Sequence, residues 1–169
     1  MYKIGDLILY GNTGVCRIMD ITTRNLPNVD KNQLFYVLKP LYQECTISAP
    51  VGSTKVFMRP IISKQEAERL IDMIPTISAQ AYQNSVLRQL TEHYEESFKN
   101  HDCADLIELT MSIYAKKQIA AEQKKKFGAV DERFMKKAEE LLFGEFAAAL
   151  GISKDEVPEY IAERIKEMV

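Results

Sequence analysis

The chain has 169 residues, 46% hydrophobic and 27% charged, which allows one sizeable core or two small ones and argues against disorder. No apolar run approaches the roughly 18 residues that cross a bilayer, and the N-terminus lacks a basic stretch followed by an apolar signal region, so a cytoplasmic protein with no membrane partner is expected. A formal net charge of -2 excludes a protein coated all over with nucleic acid.

Residues 1–62 read as short strands at 6–10, 15–21, 34–39, 45–49 and 55–58, rich in Ile, Val, Leu, Tyr and Phe. Gly11-Asn12-Thr13-Gly14 supplies the positive φ of a tight hairpin, and Pro27-Asn28 and Pro50-Val51-Gly52-Ser53 mark longer connections. Five closely spaced strands predict a small curled sheet or SH3-like barrel with functional edges and loops, since so small a sheet has little room for an internal ligand.

After Pro60 the hydrophobic period changes. Ser63 with Glu66 forms a capping box for a first helix that stops before Pro75, and this helix, around residues 63–74, is the expected hinge between two domains, 1–62 and 63–169. A second helix is expected over 79–99. Asp102 caps a third that runs to about Lys126 and stops at Gly128. A fourth spans about 131–150, closed by Gly151, with Phe134, Leu141, Leu142, Phe143, Phe146 and Leu150 at core spacing. Ser153 with Glu156 caps the last helix, and Pro158 fits its first turn. The expected fold class is α+β with segregated parts, a β module followed by a helical bundle.

Charge is divided unevenly. Residues 1–62 carry seven basic and four acidic side chains, and residues 63–169 carry fifteen and twenty. Between Lys116 and Lys137, however, eight basic residues face only Glu122, Asp131 and Glu132. That is one basic patch on an acidic half.

Nothing assembles as an enzyme site. His93 and His101 lie two turns or more apart near the end of a polar helix, and Glu92, Glu95 and Glu96 read as a solvated acidic face. Cys16, Cys45 and Cys103 are odd in number and widely separated, which suits small buried hydrophobes better than a disulfide framework or zinc site. A non-enzymatic protein without cofactor, metal or small-molecule substrate is expected.

Residues 2–18, with Gly5-Asp6, an apolar strand ending in Tyr10, a turn closing on Gly14 and a second strand, resemble the opening of CarD-type proteins. Phe35-Tyr36-Val37-Leu38-Lys39 and Thr46-Ile47-Ser48-Ala49-Pro50 follow at that family's spacing, and residues 133–142 with Gly144-Glu145 resemble its C-terminal helix. The resemblance implies a Tudor-like domain that binds the β subunit of RNA polymerase, and a helical domain that contacts promoter DNA near the upstream edge of the melted region. The same module occurs inside transcription-repair coupling factors. No Gly-x-x-x-x-Gly-Lys-Ser/Thr phosphate loop is present, which fits a stand-alone regulator better. Two departures stand out. Relatives often carry a Trp wedge where an ungapped match places Leu87, beside Arg88, and a small shift would make Tyr82 the substitute; the chain has no Trp. An Arg that some relatives use at the polymerase contact corresponds to Ser48, whereas Arg24 matches another such position.

The residues themselves suggest how both contacts would work. An unpaired strand edge near Thr46, Ile47, Ser48 and Pro50 would accept a partner strand, with Pro50 ending the pairing and Arg24 meeting a carboxylate. Lys116, Lys117, Lys124, Lys125 and Lys126, merged with Arg133, Lys136 and Lys137 of the next helix, would meet phosphates without base specificity. The rival reading is a polymerase adaptor with no DNA contact.

Overall fold

The computed structural model describes residues 1–167 and divides the chain into two compact units, Met1–Ile62 and Ser63 onward. Within the described residues there are five strands and five α-helices, with no helix long and apolar enough to cross a membrane.

The first unit is one antiparallel sheet of β1 (Leu7–Tyr10), β2 (Gly14–Thr23), β3 (Leu34–Pro40), β4 (Ile47–Pro50) and β5 (Met58–Pro60), in the order β4-β3-β2-β1-β5. The tight turn between β1 and β2 uses Gly11 and Gly14 at positive φ, 47° and 96°; a side chain at Gly11 would also meet Val56. Alternate residues of the central strands, Ile8, Cys16, Ile18, Tyr36 and Leu38, bury one face. Ile47 from β4 and Met58 from β5 pack on that same cluster, so the two ends of the sheet bend toward one core. The hydrogen-bonded order nonetheless has two ends, and the sheet is open rather than a closed barrel. A register shift between Ile18 and Asp20 leaves Met19 unpaired on β2, a bulge that adds local bending.

The second unit contains α1 (Lys64–Met73), α2 (Leu87–Glu96), α3 (Cys103–Glu122), α4 (Ala129–Leu150) and α5 (Val157–Glu167). Four helix termini follow their capping chemistry. The Ser63 hydroxyl accepts from the Glu66 amide and the Asp102 carboxylate from the Ala104 amide. Ser153 and Glu156 form a complete capping box on the short 3-10 turn that leads into α5, and Gly151 closes α4 in the left-handed region. Phe134, Leu142, Phe146 and Leu150 of α4 are buried, while Leu141 and Phe143 are half-buried at the margin of the same face.

Several expectations require correction. Helix α1 is not a free hinge: Ala67, Leu70 and Ile71 are buried, α1 packs on α4 and α5, and the Arg164 guanidinium pairs with Asp72 at 2.6 and 3.0 Å and with Glu68 at 3.1 Å. The second helix is half its expected length, because main-chain and side-chain bonds draw residues 80–86 out of helical geometry: the Gln80 carbonyl accepts from Ser112 Oγ at 2.6 Å, and Asn84 Oδ1 accepts from the Val86 amide. Helix α3 stops at Glu122 because Lys124 turns left-handed, φ 54°, with the Lys124 and Lys125 amides returning to Ala121 and Ala120 carbonyls. Gly128 is therefore not a stop for α3 but the N-cap of α4. Cys16 and Cys103 are buried, but Cys45 is exposed. Burial, with Cys45 nearby, pushes the Cys16 thiol up to about 11, so at neutral pH it is a small core hydrophobe rather than a nucleophile.

Candidate functional site

The free edge of the sheet is defined by ladder parity. In an antiparallel pair, main-chain groups of successive residues point alternately toward the partner strand and away from it. The Val51 amide donates to the Leu34 carbonyl at 2.9 Å, and β3 pairs Tyr36 with Ala49 and Val37 with Ser48. Residues 47, 49 and 51 therefore face β3, and residues 48 and 50 face outward. The outer rim of β4 offers the Ser48 amide and carbonyl, whereas the Pro50 carbonyl already accepts from the Ser53 amide at 3.2 Å. Pro50 is the last residue of β4 and pairs with Phe35; its missing N–H falls on the outward side, where the ladder to β3 loses nothing.

The other edge, β5, repeats this device. Ile61 donates to the Leu7 carbonyl, which places Met58 and Pro60 outward by the same parity. There Arg59 Nη1 donates to the Pro60 carbonyl at 3.0 Å, so on each edge the outward proline carbonyl is already occupied.

Side chains of the candidate β edge divide in two. Ile47 packs into the core cluster, which leaves Thr46, Ser48, Pro50 and Arg24 for outward contacts. Arg24, just beyond β2, donates through Nη1 to Ser48 Oγ. This contact joins residues 24 positions apart across β3, and neither residue type alone signals it.

The helical unit spreads its cations over several environments. Lys116 is not a surface charge: its ammonium lies 2.9 Å from Asp131 Oδ1, with the two side chains 12% and 6% exposed. The Tyr94 hydroxyl donates to the same oxygen. Burial, with the Asp131 carboxylate beside it, pushes the Tyr94 phenol above the ordinary tyrosine range, keeping it a neutral donor. Lys116 is thus removed from the expected phosphate-binding set because it neutralises a buried carboxylate.

Lys124, Lys125 and Lys126 are exposed on the turn before α4. Lys125, Lys126, Gln83, Phe127 and Gly128 line a cleft of about 490 Å³ together with Lys116 and Asp131. Lys117 sits 5.7 Å from the centre of the Phe127 ring, and its charge also acts on Glu139. Arg133 lies 5.0 Å from the Phe134 ring and Lys137 lies 4.7 Å from the Phe98 ring, two cation–π contacts. Lys136 is exposed. Lys124, Lys125 and Lys126 thus stand exposed together on the turn before α4, whereas Lys116 is taken up by Asp131.

Leu87 opens α2 and is 62% exposed, beside Val86 at 49%. Arg88 pairs with Glu92 at 3.2 Å in full solvent. Tyr82, in contrast, is stacked on His93 with ring centres 3.6 Å apart and accepts a bond from Asn84 Nδ2. Among the described residues no group of three or more His, Cys, Asp or Glu is placed to hold a metal ion.

Residues 2–62 match the family model described as CarD-like/TRCF RID domain, and no curated protein matches the chain. The match ends at the residue where the first compact unit ends, so it covers the whole open sheet and none of the helices. The leading unit, residues 2–62, is thus similar to the CarD-like/TRCF RID domain family.

Proposed function

We propose that this protein is a bacterial, cytoplasmic, non-enzymatic transcription regulator that binds the β subunit of RNA polymerase through its leading unit and touches promoter DNA with its helical unit. The carrying observation is the family match over residues 2–62, coextensive with a sheet whose β4 rim is open. A polymerase strand added to that rim would bond to the Ser48 main chain, and Arg24 would meet a carboxylate beside it.

DNA contact is the finer part of the reading. Lys124, Lys125 and Lys126 are the best phosphate contacts, supported by Lys117, Arg133, Lys136 and Lys137; Leu87 is the apolar side chain free to lean on an unstacked base step, because Tyr82 is held by His93. Intrinsic affinity is expected to be weak, since the surrounding unit is acidic. Tethering to polymerase supplies an effective concentration that reaches roughly the mM range for short connections. The regulator acts on promoter opening only if it binds the opened complex more tightly than the closed one; about 1.4 kcal/mol of preference shifts the ratio tenfold.

A polymerase adaptor without DNA contact is the second reading, favoured by the ion pairs and neighbouring carboxylates that offset Lys116, Lys117 and Arg88. Binding of the full chain and of residues 1–62 to purified core polymerase tests the first step. Equal capture of both is expected, and a folded leading unit that ignores polymerase overturns the reading. A promoter-opening assay at saturating protein then separates the two: no change supports the adaptor.

A further inference from the structure

Arg24 follows directly on β2, and its Nη1 donates to Ser48 of β4, although β3 lies between β2 and β4 in the sheet. The Ser48 hydroxyl fixes the tip of this arginine. A carboxylate of the chain lies in the same cross-strand row: Asp20 pairs with Val37, and Val37 with Ser48. Asp20 instead accepts from the Ile21 amide, and Arg24 bonds to Ser48. Among the described residues its remaining N–H donors meet no carboxylate, so its planar fork is still available for bidentate pairing.

Ser48 is also the residue whose amide and carbonyl both face outward. A strand added there places one residue directly opposite Ser48, with its side chain on the Ser48 and Arg24 face and its Cβ roughly 4.5–5.5 Å away. We propose that Ser48 is a positioning residue: its hydroxyl holds the Arg24 guanidinium over the free rim of β4, so that the docked strand is selected for an Asp or Glu at the position opposite Ser48. This rests on β4 being the docking edge. Holding the arginine in place before docking removes the ordering of a flexible side chain from the binding step, worth roughly two- to tenfold in affinity.

The test measures dissociation constants of full-length variants for purified core RNA polymerase, with thermal midpoints alongside. Ser48→Ala should weaken binding two- to tenfold without moving the midpoint, and Ser48→Thr, which keeps the hydroxyl, should bind as the parent does. In an Arg24→Ala background Ser48→Ala should add nothing, because the hydroxyl then has no guanidinium to hold. Arg24→Glu should bind several-fold more weakly than Arg24→Ala if a carboxylate sits opposite. Unchanged binding by Ser48→Ala, additive losses in the double variant, or equal binding by Arg24→Glu and Arg24→Ala each overturn the proposal. A parent chain that does not bind polymerase at all overturns the docking reading beneath it, a result distinguishable from these.

Discussion

The two units expose their working groups by different physics. In the sheet, what is offered to a partner is main chain, and its direction is dictated by hydrogen-bond parity: the bond from Val51 to Leu34 already decides that Ser48 and Pro50 face outward. In the helical unit what is offered is side-chain charge, and whether a lysine is available depends on its surroundings. Lys116 and Lys124 belong to the same run of basic residues, yet one neutralises a buried carboxylate and the other stands in solvent on a left-handed turn residue. A free strand edge can thus be located from register alone, whereas a charged patch has to be read one ion pair at a time.

The largest effect that would sharpen this contrast is expected at Lys116. Lys116→Ala leaves the Asp131 carboxylate buried with only the Tyr94 hydroxyl, a change that costs about 3–5 kcal/mol in comparable buried pairs. Thermal or urea unfolding should show that loss, and adding Asp131→Asn should recover part of it. An unchanged midpoint for Lys116→Ala would mean that this lysine is a surface charge after all.

Reversal of Lys124, Lys125 and Lys126 to Glu should do the opposite. These side chains are exposed, so the fold and polymerase binding should be retained, while the dependence of promoter association on salt flattens. With about 0.9 in logarithmic slope per phosphate on duplex, the slope should fall by about 2 to 3. Titration of a polymerase–promoter complex at several salt concentrations measures it, and an unaltered slope favours the adaptor reading.

A third effect, of intermediate size, concerns the entry to α4. A Cβ on Gly128 would lie 2.7 Å from Asp131 Oδ2, and that carboxylate is fixed through its other oxygen by Lys116 and Tyr94. Gly128→Ala should destabilise the helical unit by about 1–3 kcal/mol, the usual range for forcing atoms into a packed site, with no loss of polymerase capture.

Smaller still is the α1–α5 tie. Arg164 holds the Asp72 carboxyl below the ordinary aspartate range, chiefly by hydrogen bonding. Because the folded carboxyl titrates lower than the unfolded one, its contribution is present at neutral pH and is lost as pH falls below about 4. Arg164→Gln should lower the midpoint slightly at pH 7 and make its decline in acid shallower, as a pH series of melting curves would reveal.

The smallest change is expected at Pro50. Pro50→Ala restores an outward N–H without touching the ladder to β3, so stability should move by less than about 0.5 kcal/mol. Sedimentation at rising concentration should instead show more self-association through the extended edge. A large loss of stability would contradict the parity assignment.

Much of this fold was legible from local chemistry. Glycine pairs, caps at Ser63, Asp102 and Ser153, the left-handed Gly151 and alternating apolar residues specify element types within a few residues, because each is an interaction between near neighbours in the chain. A strand around residues 46–50 was legible as well, but its place at an end of the sheet follows from the next strand, β5, pairing with β1 instead of with β4. Where α2 begins was not: Gln80 and Asn84 are drawn off by bonds, one of them to Ser112 on α3, that helix propensity does not register.

Sequence by itself determined where the chain would be strand or helix and that a basic cluster interrupts an acidic half, because those properties reside in residue type and spacing. Tertiary structure decided which rim of the sheet stays open, that Ser48 captures Arg24, and which lysine is consumed by Asp131. Each of those outcomes joins groups 15 or more residues apart, and such distant pairs are chosen by how the packed elements bring them together, which residue identity alone does not encode.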